Sequence, residues 1–201
     1  MNRYAPILAL LALALLSACG TLSRPNTPEI TRLYLDGAGA EIAQSPATPL
    51  TLLVAVPRTV PGYSTPRIAY MQGDRQLEYY GRHEWTAEPS RMLQPATTRA
   101  LDRSGRFAAI VTSPSPALAD LRLDMEVVKL LHDYRYEPNV LELVVRVQLS
   151  GYEDRRVVAT RLFEYREIAG EGPVNGAAAA DRALAQFLAD LAEFCVEHTG
   201  D

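Results

Sequence analysis

From Leu121 onward the chain alternates. Leu121, Leu123, Met125, Val127 and Leu131 take one set of positions, and Arg122, Asp124, Glu126 and His132 take the other. After a turn at Glu137-Pro138-Asn139, Leu141, Leu143, Val145, Val147 and Leu149 alternate with Glu142, Arg146, Gln148 and Ser150. A third run, Arg156 to Ile168, follows Glu153-Asp154. A two-residue period marks strands with one buried face, and short turns between consecutive strands make an antiparallel meander with one face wet.

Upstream the pattern is more broken. Ile30–Asp36 alternates weakly and reads as a first strand; the segment "GAGAEIAQSPATP" after it is a loop. Leu50–Val56 is a near-continuous β-prone run bounded by prolines, the signature of a buried strand. Pro57–Pro66 is irregular, and Arg67–Trp85 holds two aromatic-rich runs around Gly73-Asp74, which predicts a hairpin. Phe107–Val111 is a further short strand, followed by the loop "TSPSP".

Two stretches change period to that of a helix. Glu88-Pro89-Ser90 opens the first, with Pro89 where a missing N–H costs little. Leu93, Ala96, Ala100 and Leu101 share one face, and Ser104-Gly105 ends it. Pro95 falls inside and predicts a kink near Met92 or a late start. After a break over Gly170–Gly176, the residues Ala180, Leu184, Phe187, Leu188, Leu191 and Cys195 define an amphipathic helix of about 20 residues. The expected fold is α+β: a single mixed, mostly antiparallel sheet with two helices packed on one face.

The first 29 residues obey neither period. Arg3 precedes an apolar run, Ala5 to Leu16, too short for a mature membrane helix, which needs about 20 residues, and suited to the core of a secretory signal. Leu16-Ser17-Ala18-Cys19 looks like a bacterial lipobox, in which the Cys19 thiol is alkylated with diacylglycerol, the leader is removed and the new N-terminus is acylated, palmitate being the usual chain. Two or more chains hold a protein firmly on a bilayer, at about 0.8 kcal/mol per buried methylene. Gly20, where aspartate would favour the inner membrane, points to the outer membrane facing the periplasm. The domain plan is therefore 1–18 signal peptide, 19–29 lipidated cysteine and tether, and 30–201 a single folded domain.

Composition narrows the function. The 201 residues carry a formal charge of −4, which becomes −5 when Arg3 leaves with the leader. Lys129 is the sole lysine, and no basic block or stripe offers a nucleic-acid surface. Three histidines, His83, His132 and His198, stand apart, none paired at metal-ligand spacing. No G-x-S-x-G, HExxH or phosphate-cradling glycine loop occurs, so no enzyme activity, metal or cofactor is expected. With Cys19 acylated, Cys195 has no disulfide partner in the chain and reads as a buried core thiol.

The hairpin is the densest cluster of interface-type residues. Tyr70, Tyr79, Tyr80 and Trp85 are interleaved with Arg67, Arg75, Arg82 and Arg91. Its elements Pro66-Arg67-Ile68-Ala69-Tyr70, Leu77-Glu78-Tyr79-Tyr80, Arg82-His83-Glu84-Trp85 and Glu88-Pro89 resemble the signature region of the ABC-type transport auxiliary lipoprotein family, which includes the lipoprotein of the paraquat-inducible intermembrane transport system. Two positions depart from the family pattern: Tyr70, where arginine is common, and Pro95.

The resemblance implies a non-catalytic auxiliary component that works with an MCE-domain protein and with ABC permease and ATPase subunits. It would help move lipids or other hydrophobic molecules between membranes and could form homo-oligomers. Arg67, Tyr70, Tyr79, Tyr80, Arg82 and Trp85 are the expected partner contacts, and Trp85→Ala is expected to weaken binding while leaving the domain folded. Two competing readings are an envelope scaffold contacting peptidoglycan or another periplasmic machine, and a direct lipid carrier, which requires an apolar cavity.

Overall fold

The computed structural model describes residues 29–200, so the leader, the lipobox and most of the tether lie outside the described residues. Nine strands and two helices follow in order: β1 (Thr31–Leu33), β2 (Thr51–Val54), β3 (Arg58–Thr59), β4 (Arg67–Met71), β5 (Glu78–Trp85), α1 (Pro89–Ser104), β6 (Ala109–Thr112), β7 (Leu121–Asp133), β8 (Val140–Gly151), β9 (Val157–Ile168) and α2 (Gly172–Glu197). All strands belong to one mixed sheet, with both helices packed against it, as the sequence pattern predicts.

Strand β7 is its axis. One edge pairs antiparallel with β8 from Leu121 to Asp133, and β8 pairs antiparallel with β9. The other edge carries three short strands end to end, all parallel to β7: β2 at Leu121–Leu123, β3 at Glu126–Val127 and β4 at His132–Asp133. Beyond them the sheet forks, with β6 beside β2 on one branch and β5 then β1 beside β4 on the other. The irregular stretch after Pro57 thus holds a two-residue strand that the sequence pattern did not reveal.

The alternation along β7 does not run through. A register shift between Val127 and Lys129 inserts one extra residue, so Val127 faces Val145 but Lys129 faces Val144. Such a bulge reverses the side of every later residue. Leu130 and His132 therefore join the helix-side face with Leu143 and Leu141, while Leu131 and Asp133 turn to the opposite face. His132, grouped by simple alternation with the polar positions, is fully buried.

Helix α1 begins at Pro89, so Pro95 does not delay it. Pro95 and Arg91 lie on the exposed side, where water can satisfy the Arg91 carbonyl that a proline cannot serve. Leu93, Ala96, Ala100 and Leu101 all face the core. Gly105, at φ 65°, closes the helix in the left-handed conformation. Helix α2 is longer than its apolar stripe suggests: it spans 26 residues and starts at Gly172, ahead of Gly176.

Arg106 ties the two helix ends together. Its guanidinium is buried and donates to Pro46 O at 2.9 Å, to Thr199 Oγ1 at 2.9 Å and to the Thr199 carbonyl. A cation at the carbonyl end of α2 and just past the end of α1 opposes the negative pole of each helix. Cys195 is buried as expected, and burial pushes its thiol up to about 12. Among the described residues, no helix is long and apolar enough to cross a membrane.

Trp85 is 2% exposed and lies in the main core with Leu33, Ile68 and Met92. Its truncation to alanine is expected to cost about 3–5 kcal/mol, as for other buried aromatic side chains. Chemical denaturation should show this as a lower midpoint with an unchanged slope.

Candidate partner-binding site

The β4–β5 hairpin sorts its aromatic residues by strand parity. Tyr70 lies opposite Glu78, and Ala69 opposite Tyr79, so Tyr70, Glu78 and Tyr80 share one face while Tyr79 takes the other. The turn between the strands is held by Arg75 at φ 65°, a left-handed conformation unusual for a residue other than glycine.

On the outer face, the Arg67 guanidinium sits 4.3 Å from the centroid of the Tyr79 ring. The Tyr79 hydroxyl donates to Gly62 O at 2.8 Å, which pins the β3–β4 loop. Gly62 adopts φ 97°, a conformation glycine supplies without strain. Beside it, burial foremost raises the Tyr63 hydroxyl to about 12, and the Glu142 carboxylate adds to the shift.

On the helix face the hairpin joins a partly buried chain of hydrogen bonds. The Tyr70 and Tyr80 rings lie 4.6 Å apart, and Tyr70 meets Tyr134 edge-on at 6.2 Å. Tyr80 Oη is 2.7 Å from Tyr134 Oη and 3.0 Å from His132 Nδ1; His132 Nε2 is 3.2 Å from Asn139 Oδ1. The ends of the chain fix its direction. Glu171 carboxylate can only accept, so Asn139 donates Nδ2–H to it at 2.9 Å and offers its oxygen to His132 Nε2–H. Gly172 N–H donates to Tyr134 Oη at 3.0 Å. With Nε2 carrying the proton of the neutral ring, His132 Nδ1 accepts from Tyr80 Oη–H, and Tyr80, its single proton used, accepts from Tyr134. Five side chains and one backbone amide thus bind β5, β7 and the β7–β8 turn to the first turn of α2.

Gly176 completes that fit. A Cβ at this position would lie 2.5 Å from His132 Nδ1, so α2 approaches the histidine this closely through a residue without a side chain. Burial lowers the His132 pKa below its ordinary value, against the opposing pull of Asn139, Glu171 and Asp133. Burial also raises the Tyr80 hydroxyl, with Tyr134 adding to it.

Sequence reasoning grouped six residues as partner contacts, and the structure separates them. Arg67 and Arg82 are exposed; Tyr70, Tyr79 and Tyr80 are partly covered. Trp85 is a core residue, which corrects the expectation that its truncation would leave the domain folded. The parallel strand β1 sets Leu33 beside Trp85 at the end of β5, where Trp85 joins the main core, a pairing that no local pattern reports. The Tyr80–His132–Asn139–Glu171 chain was missed because the bulge in β7 hides His132 among polar positions. Cys19 lies outside the described residues. Among the described residues, no three His, Cys, Asp or Glu side chains cluster as metal ligands.

The outer face of β7–β9 is charged. Glu142 accepts from Lys129 at 3.0 Å and from Arg166 at 2.7 Å, and Arg146 donates to Glu126 at 2.6 Å. Burial pushes the Glu142 carboxyl up, but Arg166 and Lys129 outweigh it and hold the group below its usual range. A groove of about 410 Å³ runs between Lys129, Glu142, Glu164 and Arg166. A second, of about 530 Å³, is lined by Leu118, Asp120, Tyr152, Glu153 and Asp154.

The His132 chain predicts acid sensitivity. The folded state holds the imidazole neutral, whereas the unfolded chain takes up a proton near pH 6.5, so stability rises with pH through that window and is lost below it. Denaturation midpoints should therefore fall between about pH 7.5 and pH 5, before Asp133 and Glu142, whose carboxyls are held low, begin to titrate. Tyr80→Phe, which leaves His132 Nδ1 without its donor, is expected to cost about 1–3 kcal/mol at neutral pH in the same measurement.

Comparison with known proteins places this architecture. A crystal structure of protein XCC0632 from Xanthomonas campestris, assigned to the DUF330 family, is 25% identical, with a TM-score of 0.72, covering 84% of this chain and 96% of that one. A crystal structure of an uncharacterized protein shares the fold at 16% identity and a TM-score of 0.62, covering 82% of this chain and 99% of its own. No curated protein matches the chain. Residues 34–192 match the family model described as ABC-type transport auxiliary lipoprotein component, an interval that runs from the end of β1 into the last turns of α2. The chain belongs to the ABC-type transport auxiliary lipoprotein component family, membrane-anchored lipoproteins that serve an ABC-type transport system.

Proposed function

We propose that this protein is the non-catalytic outer-membrane member of an MCE/ABC-type system that moves lipids or other hydrophobic molecules between the two membranes. The observation that carries this reading is the family match over residues 34–192. In this reading Cys19 is acylated, and residues 20–29 form a tether whose ten residues reach roughly 33 Å when extended. The folded domain then stands in the periplasm, clear of the head groups, within reach of a partner anchored elsewhere. ATP hydrolysis belongs to a partner subunit, since this sequence contains no Walker motif.

The contact surface we assign is the exposed outer side of the β4–β5 hairpin: Arg67 stacked on Tyr79, and the exposed Arg82. Arginine held over an aromatic ring keeps its charge in solvent while its position is fixed, which lowers the ordering cost of meeting an acidic partner. A role as docking component fits the charged walls of the two outer grooves better than a role as lipid carrier, because an acyl chain needs an enclosed apolar lining.

The test is affinity purification of the full-length tagged protein from gently solubilised membranes, with bound proteins identified by mass spectrometry. Recovery of an MCE-domain protein or ABC subunits is expected. Cys19→Ser should move the protein out of the membrane fraction. Arg67→Glu combined with Arg82→Glu should lower recovery of the partner by about tenfold or more, equivalent to about 1.4 kcal/mol of binding, while thermal unfolding stays unchanged. Recovery of peptidoglycan-associated proteins alone would overturn the transport reading in favour of a scaffold.

A further inference from the structure

No strand among the described residues pairs with the outer edge of β9 (Val157–Ile168). Among the described residues β9 pairs with β8 alone, whereas the other terminal strands, β1 and β6, are three and four residues long. Which of its backbone groups face outward follows from the ladder. Ala169 N–H donates to Asn139 O across the Val140–Ile168 pair, so that pair is of the kind that exchanges no bonds of its own, and the N–H and C=O of Ile168 point away from β8. Arg182 confirms the direction by donating to Ile168 O at 2.8 Å. With the two-residue repeat of an antiparallel ladder, the N–H and C=O groups of Leu162, Glu164 and Arg166 face outward as well.

The side chains of these same four residues stand on the outer face, and none is covered. Leu162 is 45% and Ile168 65% exposed, with Glu164 and Arg166 between them. Long exposed edges of this kind are templates for another strand. The order Leu-x-Glu-x-Arg-x-Ile is complementary to itself when read backwards. Placed antiparallel about a two-fold axis through Tyr165, it sets Glu164 opposite Arg166 and Leu162 opposite Ile168, each pair occurring twice. Centring on Glu164 instead would oppose two carboxylates, and centring on Arg166 would oppose two guanidiniums. The tether is a poor occupant, because Pro25 and Pro28 remove backbone donors from it.

We propose that the free edge of β9 pairs with the β9 edge of a second copy of this chain, antiparallel and centred on Tyr165, so that the two sheets become one. Arg166 reaches Glu142 and Tyr136 through Nη2, which leaves other donors of its guanidinium for Glu164 across the axis. The bond from Arg182 occupies one lone pair of Ile168 O and leaves the second for the ladder. On the helix face the axis passes between the two Tyr165 rings, whose hydroxyls are already held by Asp190 at 2.6 Å. This pairing rests on the strand itself and stands apart from the transport reading.

The test uses the full-length protein in its own membranes. Residues opposite one another in an antiparallel pair have Cα atoms about 4.5–5.5 Å apart, within disulfide range. Under mild oxidation, Leu162→Cys with Ile168→Cys should give a disulfide-linked dimer with a 162–168 cross-linked peptide, and each single variant should give about tenfold less or none. Cys195 is fully buried and adds no background. Glu164→Arg should abolish the cross-link when added to the double cysteine variant, and Arg166→Glu added to that should restore it. A double cysteine variant that melts like the wild type yet stays monomeric overturns the proposal. So does a 162–162 link in the single variant, which would signify another register, or cross-linking to a different protein alone.

Discussion

One edge of β7 carries β8 over the whole strand, and the other carries β2, β3 and β4 in succession. No neighbour on that second edge is long enough to fix the twist or register of β7 by itself. The long β8 and β9 ladders provide that rigidity, and the short strands read their positions from it. The bulge after Val127 then decides what each end of β7 contributes. Before it, the helix side receives Leu123, Met125 and Val127; after it, Leu130 and His132. Without that extra residue His132 would face the outer side, the Tyr80–Tyr134 pair would lose its acceptor, and Gly176 would face a void. A single backbone irregularity therefore places the polar chain that holds the first turn of α2 to the sheet.

Strand positions, both helices, the hairpin and the helix-against-sheet packing were legible in the sequence because each is local: a period of two or of 3.6, a proline at a helix start, a glycine at a helix end. Leu93, Ala96, Ala100 and Leu101 form the buried stripe of α1 as their spacing requires. What was hidden depended on partners far along the chain. The strand at β1 was foreseen but not its parallel pairing, and β3 was not foreseen at all; each is two or three residues of ladder whose partner lies about 50 to 70 residues away. Tryptophan is a residue type common at interfaces, and the tertiary packing that includes β1 makes Trp85 core. Gly176 looks like a breaker in the sequence, yet it sits inside α2 because the helix must pass over an imidazole. The six hairpin residues formed one cluster in sequence; parity divided them between two faces and the core.

The same parity governs what the molecule has left to offer a partner. Both helices cover one face of the sheet and consume its apolar positions. The other face of β7–β9 carries paired charges, Lys129 and Arg166 on the largely buried Glu142 and Arg146 on Glu126, which satisfy one another. The exposed arginines of these pairs stabilise little by themselves, but they let that face meet water without a second layer. The two surfaces we propose for partners lie on either side of β7: the hairpin that presents Arg67 and Arg82, and the β9 edge. That arrangement suits the role we propose, a component that holds other proteins in position and has no reaction to enclose in a deep site. The two contacts we propose, one with an unlike subunit and one with a like subunit, lie on opposite sides of β7, so a single sheet would tie the geometry of one to that of the other.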